Sequence, residues 1–262
     1  MTKKKAPVKK KIPVKKTTKK PVKKLNKKQK TYVAIVLDNS GSMATVAPET
    51  IKSFNEQIET IKKESIGMDT KIILTTFSTA VNSLFFNVPV DTLQPLTSKN
   101  YKPDGWTAMY DGICETIDKM EQELSDINDS EIAVLFTIIT DGAENASKKF
   151  NQKSVADRIS RLKGTKRWTF NLVGANIDLE KASVDLNISK GNILKISSSK
   201  VGIVRGMTAS TQMYGTYMTS RRSVKDSDDL GVLSAQSVYS ANTDDILDVS
   251  DEAMKPVPAI KK

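Results

Sequence analysis

The sequence predicts an α/β fold: a doubly wound, mostly parallel sheet with one antiparallel edge strand and helices on both faces, a Rossmann-like arrangement. Two observations lead to this prediction. Short apolar runs, typical of strands buried on both faces, recur along the chain. Segments with apolar residues three and four positions apart, typical of amphipathic helices, lie between most of them. Strands that alternate with helices form parallel sheets covered on both sides.

The first elements illustrate both patterns. Residues 33 to 37 form an apolar run that ends at Asp38, and Pro48 then marks the first turn of a helix. That helix carries its apolar face at Ile51, Phe54, Ile58 and Ile61. Residues 71 to 77 and 80 to 86 read as two strands separated by a short turn, which predicts an antiparallel hairpin at the sheet edge.

The remaining elements repeat the alternation. A long polar connection, residues 87 to 107, precedes a helix with Met109, Ile113, Ile117 and Met120 on one face. Further strands are predicted at residues 132 to 140, 168 to 174 and 192 to 196, with helices between them. Residues 201 to 217 should form the final helix, although each of its three glycines weakens it by about 1 kcal/mol relative to alanine.

Oxygen-bearing side chains gather at the ends of two predicted strands. Asp38 ends the first strand and is followed by Ser40 and Ser42, whereas Asp141 follows a later buried strand and Thr107 ends the long connection. In open α/β sheets, ligands bind at the carboxyl ends of strands where the strand order reverses. Because the chain has no histidine and only one cysteine, a metal site here must use oxygen ligands, which favours Mg²⁺, Mn²⁺ or Ca²⁺ over zinc.

These residues resemble the metal-ion-dependent adhesion site of the von Willebrand factor type A domain, abbreviated VWA. That family's pattern is Asp-x-Ser-x-Ser, then a threonine in a second loop, then an aspartate after a later strand. The resemblance covers roughly residues 31 to 222, and the chain looks like the stand-alone VWA domains of bacteria and phages. The residues that fill the five positions are Asp38, Ser40, Ser42, Thr107 and Asp141.

The resemblance implies a metal-dependent protein-binding module. In that family Mg²⁺ is held by the two serines and, depending on the state, by the threonine, while the aspartates act directly or through water. A carboxylate of the protein partner then fills the open position, since two aspartates only just balance a divalent ion. Trp106 either contacts the partner or packs under its loop. Glu144 is interpreted as a solvated or helix-starting acid rather than a metal ligand.

Catalysis is not expected. The enzymatic alternative is a Mg²⁺-dependent hydrolase with Asp38 as nucleophile, but haloacid-dehalogenase-like enzymes need a second carboxylate where this chain has Ser40. The chain also has no histidine for acid–base chemistry and no glycine-rich phosphate loop with lysine. A binding module is therefore preferred.

Charge is distributed unevenly along the chain. Residues 1 to 30 hold 15 of the 41 lysines and arginines and no acid, which leaves 26 basic and 30 acidic residues, a net charge of −4, in the remainder. This tail repeats Pro-Val-Lys-Lys and has little to bury, so it should be extended and disordered. The candidate contacts to nucleic acid or another polyanion are Lys9, Lys10, Lys15, Lys16, Lys23 and Lys24.

The predicted organisation is a basic tail at residues 1 to 30, a VWA domain at 31 to 222, and an acidic, disordered C-terminal tail at 223 to 262. The basic tail is either a nucleic-acid arm or a solubilising or localisation tail. The alternative function is a nucleic-acid-associated protein in which the VWA domain is only scaffold.

The sequence gives no indication of secretion, membrane insertion or disulfide formation. No apolar run approaches the length of a membrane span, and no hydrophobic signal core follows the basic N-terminus, so we expect a cytoplasmic protein without a membrane partner. The single cysteine, Cys114, cannot form an intramolecular disulfide and is expected to be a buried, inert thiol.

Overall fold

The computed structural model describes residues 30–125, 132–175, 178–197, 199–225 and 227–235. The six candidate lysines of the basic tail lie outside these residues. The strands of the described residues are β1 (Lys30–Asp38), β2 (Asp69–Phe77), β3 (Val81–Pro89), β4 (Ile132–Thr140), β5 (Trp168–Ala175) and β6 (Ile193–Ile196). The helices are α1 (Ala47–Glu64), α2 (Met109–Leu124), α3 (Gln152–Gly164), α4 (Leu179–Leu186), α5 (Lys200–Ser223) and α6 (Ser227–Ala235).

The strands form one sheet in the order β3-β2-β1-β4-β5-β6. All neighbouring pairs are parallel except β2 and β3, which form the antiparallel hairpin at one edge. The predicted fold class is therefore confirmed. From β1 the chain builds outward to β2 and β3, and it then returns to place β4 on the other side of β1. The switch point consequently lies between the carboxyl ends of β1 and β4.

Helices cover both faces of the sheet. Val33, Ile35 and Leu37 of β1 face the core formed with α1, α5 and α6. Ala34 and Val36, which alternate with them, face the core formed with α2, α3 and α4. All five are fully buried, because successive side chains of a strand point to opposite faces and both faces are covered.

Cys114 lies on α2 in the second of these cores, as expected. Burial raises the pKa of its thiol to about 12. The thiolate is the reactive form of cysteine, so the protonated Cys114 should be inert at neutral pH. Among the helices of the described residues, none has the length and apolar character needed to cross a membrane.

Helix α5 lies close against the end of β6. A Cβ atom added to Gly206 would lie 2.3 Å from Cγ2 of Ile196, which is buried. Glycine at this position therefore allows a close approach that any larger residue would block. The helix is also longer than predicted: its N-terminus is capped by Ser199, whose hydroxyl accepts from the N–H of Gly202, and it continues to Ser223.

The predicted start of the acidic tail at residue 223 is too early. Helix α6 follows α5, and its Leu230 and Leu233 are buried in the core beneath α5. Two leucines three residues apart give this short helix an apolar face. The sequence prediction missed it because the segment was assigned to the acidic tail as a whole. The N-terminal boundary also shifts by one residue, since Lys30 is the first residue of β1.

Candidate metal-binding site

Asp38, the last residue of β1, is held by hydrogen bonds on both carboxylate oxygens. Its Oδ1 accepts from the N–H of Ser40 at 2.7 Å, and its Oδ2 accepts from the hydroxyl of Thr140 at 2.6 Å. The residue has 0% exposure. Its backbone carbonyl accepts a further hydrogen bond at 2.7 Å from the hydroxyl of Tyr101. The position of this carboxylate is therefore fixed by neighbours from several segments of the chain.

The two serines continue this arrangement across the switch point. The hydroxyl oxygens of Ser40 and Ser42 are 3.0 Å apart, and the Ser42 hydroxyl donates to Oδ1 of Asp141 at 2.6 Å. A connected run of hydrogen bonds thus extends from Asp38, through the backbone N–H of Ser40 and the hydroxyls of both serines, to Asp141. Four of the five predicted ligands are brought together in this run.

Thr107 lies on the neighbouring loop, which is tied to the same region through its backbone. The N–H of Thr107 donates to Oδ1 of Asn145 at 2.8 Å, and its carbonyl accepts from the N–H of Asn145 at 3.0 Å. Gly105, at φ +79°, turns the loop so that its carbonyl accepts from the N–H of Gly41. In the part of the chain that the structure describes, no hydrogen bond joins the Thr107 hydroxyl to the other four predicted ligands.

Electrostatics favour a cation at this site. Burial raises the pKa of the Asp38 carboxyl, hydrogen bonds from Thr140 and Ser40 oppose that shift, and the negative charge of Asp141 raises the pKa further. Two carboxylates close together in a buried setting repel each other. A divalent cation between them would remove this repulsion and favour the ionised form of both.

The donor set fits a small, hard cation. The hydroxyl oxygens of Ser40 and Ser42 are 3.0 Å apart and Oδ1 of Asp141 is 2.6 Å from that of Ser42, so these three oxygens are near enough to contact one small ion. All the donors are oxygens, which suits Mg²⁺, Mn²⁺ or Ca²⁺. Within the described ranges no group of three or more acidic, cysteine or histidine residues is placed to hold a metal. Hydroxyl and water oxygens would therefore have to complete the coordination.

The sequence did not single out Thr140 and Tyr101 as contributors to the site. Thr140 precedes Asp141 at the end of a strand. That position was a signal that its hydroxyl lies near the site, because ligands bind at strand ends in such sheets. Tyr101 lies inside the long connection, where no periodic pattern indicates which side chains turn inward. Both hold Asp38 by hydrogen bonds and are positioning residues rather than candidate ligands.

Glu144 acts as a helix-starting acid, but for a different helix from the one that follows it. Its carboxylate accepts from the N–H of Tyr110, in the first turn of α2, at 2.9 Å. It also accepts from the N–H and the hydroxyl of Ser147 in its own loop. Glu144 therefore ties the loop after β4 to α2, and a carboxylate suits the N-terminus of a helix.

Trp106 lies on the outside of its loop. Its side chain is 66% exposed, while its backbone N–H donates to the Thr79 hydroxyl at 3.0 Å. Of the two alternatives for this residue, packing under the loop is excluded by this exposure. Its contact with a partner stays a prediction.

Comparisons with known proteins find similarity to solved structures. No family model matches the chain, and no curated protein matches it. It is similar to proximal thread matrix protein 1 (PTMP1) from the mussel byssus, with 15% identity over 72% of this chain and 47% of that one and a TM-score of 0.49. A structure of that protein with a zinc-occupied metal-ion-dependent adhesion site (MIDAS) motif is also similar. The match covers 71% of this chain and 46% of that one, at 16% identity and a TM-score of 0.44.

A von Willebrand factor type A protein from Catenulispora acidiphila is also similar, with 10% identity over 73% of this chain and 43% of that one and a TM-score of 0.46. The chain thus spans less than half the length of each of these solved chains.

Proposed function

We propose that this chain is a metal-dependent protein-binding module of the VWA class. The observation that carries the proposal is the run of hydrogen bonds that brings Asp38, Ser40, Ser42 and Asp141 together at the switch point of the sheet. These residues would hold Mg²⁺, with Mn²⁺ or Ca²⁺ as alternatives. The bound ion would supply a positive charge that attracts a carboxylate of the partner.

The chain's own residues would orient the partner. Asp38 and Asp141 approximately balance the charge of a divalent ion, and the neutral hydroxyls leave it attractive to one more acid. The loop that carries Thr107 adjoins the site through the contact between Gly105 and Gly41. Trp106 on the same loop would add an exposed aromatic contact beside the metal, a residue type that often dominates binding energy.

A hydrolytic role for Asp38 has less support. The neighbouring Ser40 stands where a hydrolase of the haloacid-dehalogenase type would need a second carboxylate. We therefore propose binding without catalysis.

The metal site can be tested by calorimetric titration with Mg²⁺ and Mn²⁺. Asp38→Ala should abolish binding, because it removes one of the two carboxylates. Asp104→Ala is a matched control, since Asp104 is exposed on the adjoining loop and, among the described residues, its carboxylate accepts only from the N–H of Gly105. Equal affinity in Asp38→Ala and the wild type would contradict the metal site, provided that circular dichroism shows both variants folded.

Partner binding can be tested by affinity capture from the cells that make the protein. A specific partner should be retained in Mg²⁺, released by chelator and absent with Asp38→Ala. Retention that is equal in chelator would contradict a metal-dependent mode of capture.

A second function is favoured by the charge distribution. Fifteen lysines within residues 1 to 30, without one acid, suit contact with the phosphates of nucleic acid. We propose this arm as an addition to the metal-dependent module, and the alternative is that the arm is the functional part and the folded body its scaffold. Deleting either element while retaining the other separates these two possibilities.

A further inference from the structure

A cavity of about 360 Å³ opens beside the metal site. It lies between the first turn of α2, the loop after β4, and α4. Thr140 and Gly142, which flank Asp141 in sequence, form part of its wall. Its volume falls within the range of about 300 to 1,000 Å³ that is usual for pockets that bind small ligands. We call it the side cavity.

The side cavity has apolar and charged walls. Met109, Leu172 and Leu186 provide buried apolar surface. The charged residues that line it are Glu144, Asp178, Lys181 and Asp185. Three carboxylates and one ammonium group give this lining a net charge of −2. An occupant should therefore carry an apolar stem and a positively charged end.

The three carboxylates differ in how they are engaged. Glu144 binds the backbone at the start of α2, and Asp178 caps α4 by accepting from the N–H of Lys181 at 3.0 Å. Asp185 is half-buried, and its side chain makes no hydrogen bond or ion pair in the described part of the chain. Asp185 is thus the carboxylate that is available to an occupant.

Asp185 and Glu144 both line the side cavity, together with Tyr110. The pKa of the Tyr110 phenol is raised first by burial and then by the charges of Glu144 and Asp185. Both carboxylates therefore act on the same small volume. A cation placed there would be attracted by both.

We propose that the side cavity binds a lysine or arginine side chain of the same partner that offers its carboxylate to the metal. This inference rests on the function proposed above and adds to it the charge pattern of the partner. The two sites share a wall, because Thr140 lines the side cavity and also donates to the Asp38 carboxylate. A single short segment with one acidic and one basic residue could therefore occupy both.

Butylguanidinium and N-butylurea are matched probes of the side cavity, similar in shape and different in charge. Each is titrated into the full-length protein in chelator, so that the metal site plays no part, and binding is followed by amide NMR. Butylguanidinium should shift the amide signals of residues that line the cavity, such as Tyr110, Ala182 and Leu186. N-butylurea should bind about fivefold more weakly, since it cannot form the ion pair.

Two acidic residues provide a variant and its control. Asp185→Asn should abolish the preference for butylguanidinium over N-butylurea. Asp91→Asn should leave it unchanged, because Asp91 is exposed beyond β3 at the opposite edge of the sheet. Equal binding of the two probes to the wild type, or shifts that do not cluster at the cavity, would overturn the proposal.

Short peptides test the link to the metal site. Peptides with one aspartate and one arginine, separated by up to three glycines, are compared in Mg²⁺ with peptides that carry citrulline, the neutral isostere of arginine. At one spacing arginine should bind more tightly than citrulline, and Asp185→Asn should remove this difference while Asp91→Asn retains it. No arginine preference at any spacing would overturn the link. Peptides that bind equally well with and without Mg²⁺ would also refute the proposed function. The two small probes, measured in chelator, decide separately whether the side cavity prefers a cation.

Discussion

The hydroxyl of Thr140 donates a 2.6 Å hydrogen bond to Oδ2 of Asp38, which joins the last residue of β4 to the last residue of β1. This contact bridges the switch point of the sheet. The same hydroxyl accepts from the N–H of Gly142, so Thr140 also shapes the start of the loop that carries Asp141. One side chain thereby holds the Asp38 carboxylate and the backbone that follows Asp141.

Thr140→Val should weaken Mg²⁺ binding about 10- to 100-fold, the usual effect of removing a group that orients a ligand. The loss leaves one oxygen of a buried carboxylate without its donor, which should also cost about 1 to 3 kcal/mol of stability. Calorimetry with Mg²⁺ and denaturant unfolding measure the two effects. Thr140→Ser is the control, because it retains the hydroxyl and should recover most of the affinity. Wild-type affinity in Thr140→Val would show that Asp38 needs no support from β4.

Thr107→Ala should weaken partner binding more than it weakens metal binding. The backbone of Thr107 is held by Asn145 in both directions, so the loop should keep its position without the hydroxyl. The hydroxyl itself would then contact the metal only in the partner-bound state. Such a role requires two arrangements of the site, of which the partner favours one.

The measurement for Thr107→Ala is a pair of affinities, for Mg²⁺ by calorimetry and for the captured partner by titration. Asp38→Ala serves as the comparison, because it should lose both. If Thr107→Ala bound the partner as tightly as the wild type does, the threonine would have no part in partner capture, even with the metal assignment intact.

The sequence was sufficient to predict the fold class and the two strand ends of the site, for a physical reason. Asp38 ends β1 and Asp141 directly follows β4, both strands are buried and mostly apolar, and parallel strands bring their carboxyl ends to one edge of the sheet. The hydrogen bonds of Thr140 and Tyr101 could not be predicted, because they depend on how non-adjacent segments pack. Glycine at residue 206 was read as a weakness of the helix, whereas its role is visible only against Ile196 of another element.

Two glycines of α5 should respond in opposite ways to alanine. Gly206→Ala should destabilise the protein by about 1 to 3 kcal/mol, since the added methyl group would overlap Ile196. Gly215→Ala should be neutral or stabilising by up to about 1 kcal/mol, because its Cβ would lie 3.6 Å from Cγ2 of Thr60, an ordinary contact, and alanine favours helix. Denaturant unfolding of both variants is the measurement. Equal effects would indicate that α5 can shift away from β6.

The described structure fixes where deletions at the two ends of the chain should begin and end. Fifteen lysines within residues 1 to 30 precede a remainder with a net charge of −4. Because Lys30 is the first residue of β1 and pairs with Asp69 of β2, an arm deletion should remove residues 1 to 29 and leave that strand complete. Because α6 is packed in the core, removal of the acidic end should begin at residue 236 rather than at Ser223.

Binding of the full-length chain to duplex DNA should fall steeply with salt and show little sequence preference. Contacts to about 6 to 10 phosphates would reduce the affinity by about 10³ to 10⁵ between 50 and 200 mM salt, since each contact releases condensed counterions. Fluorescence anisotropy at several salt concentrations measures this. Deleting residues 1 to 29 should abolish the binding and spare Mg²⁺ affinity, whereas Asp38→Ala should do the reverse. Removing residues 236 to 262 should strengthen it where the acidic end competes within the Debye length of about 8 Å. DNA binding that persists without the arm would refute its role.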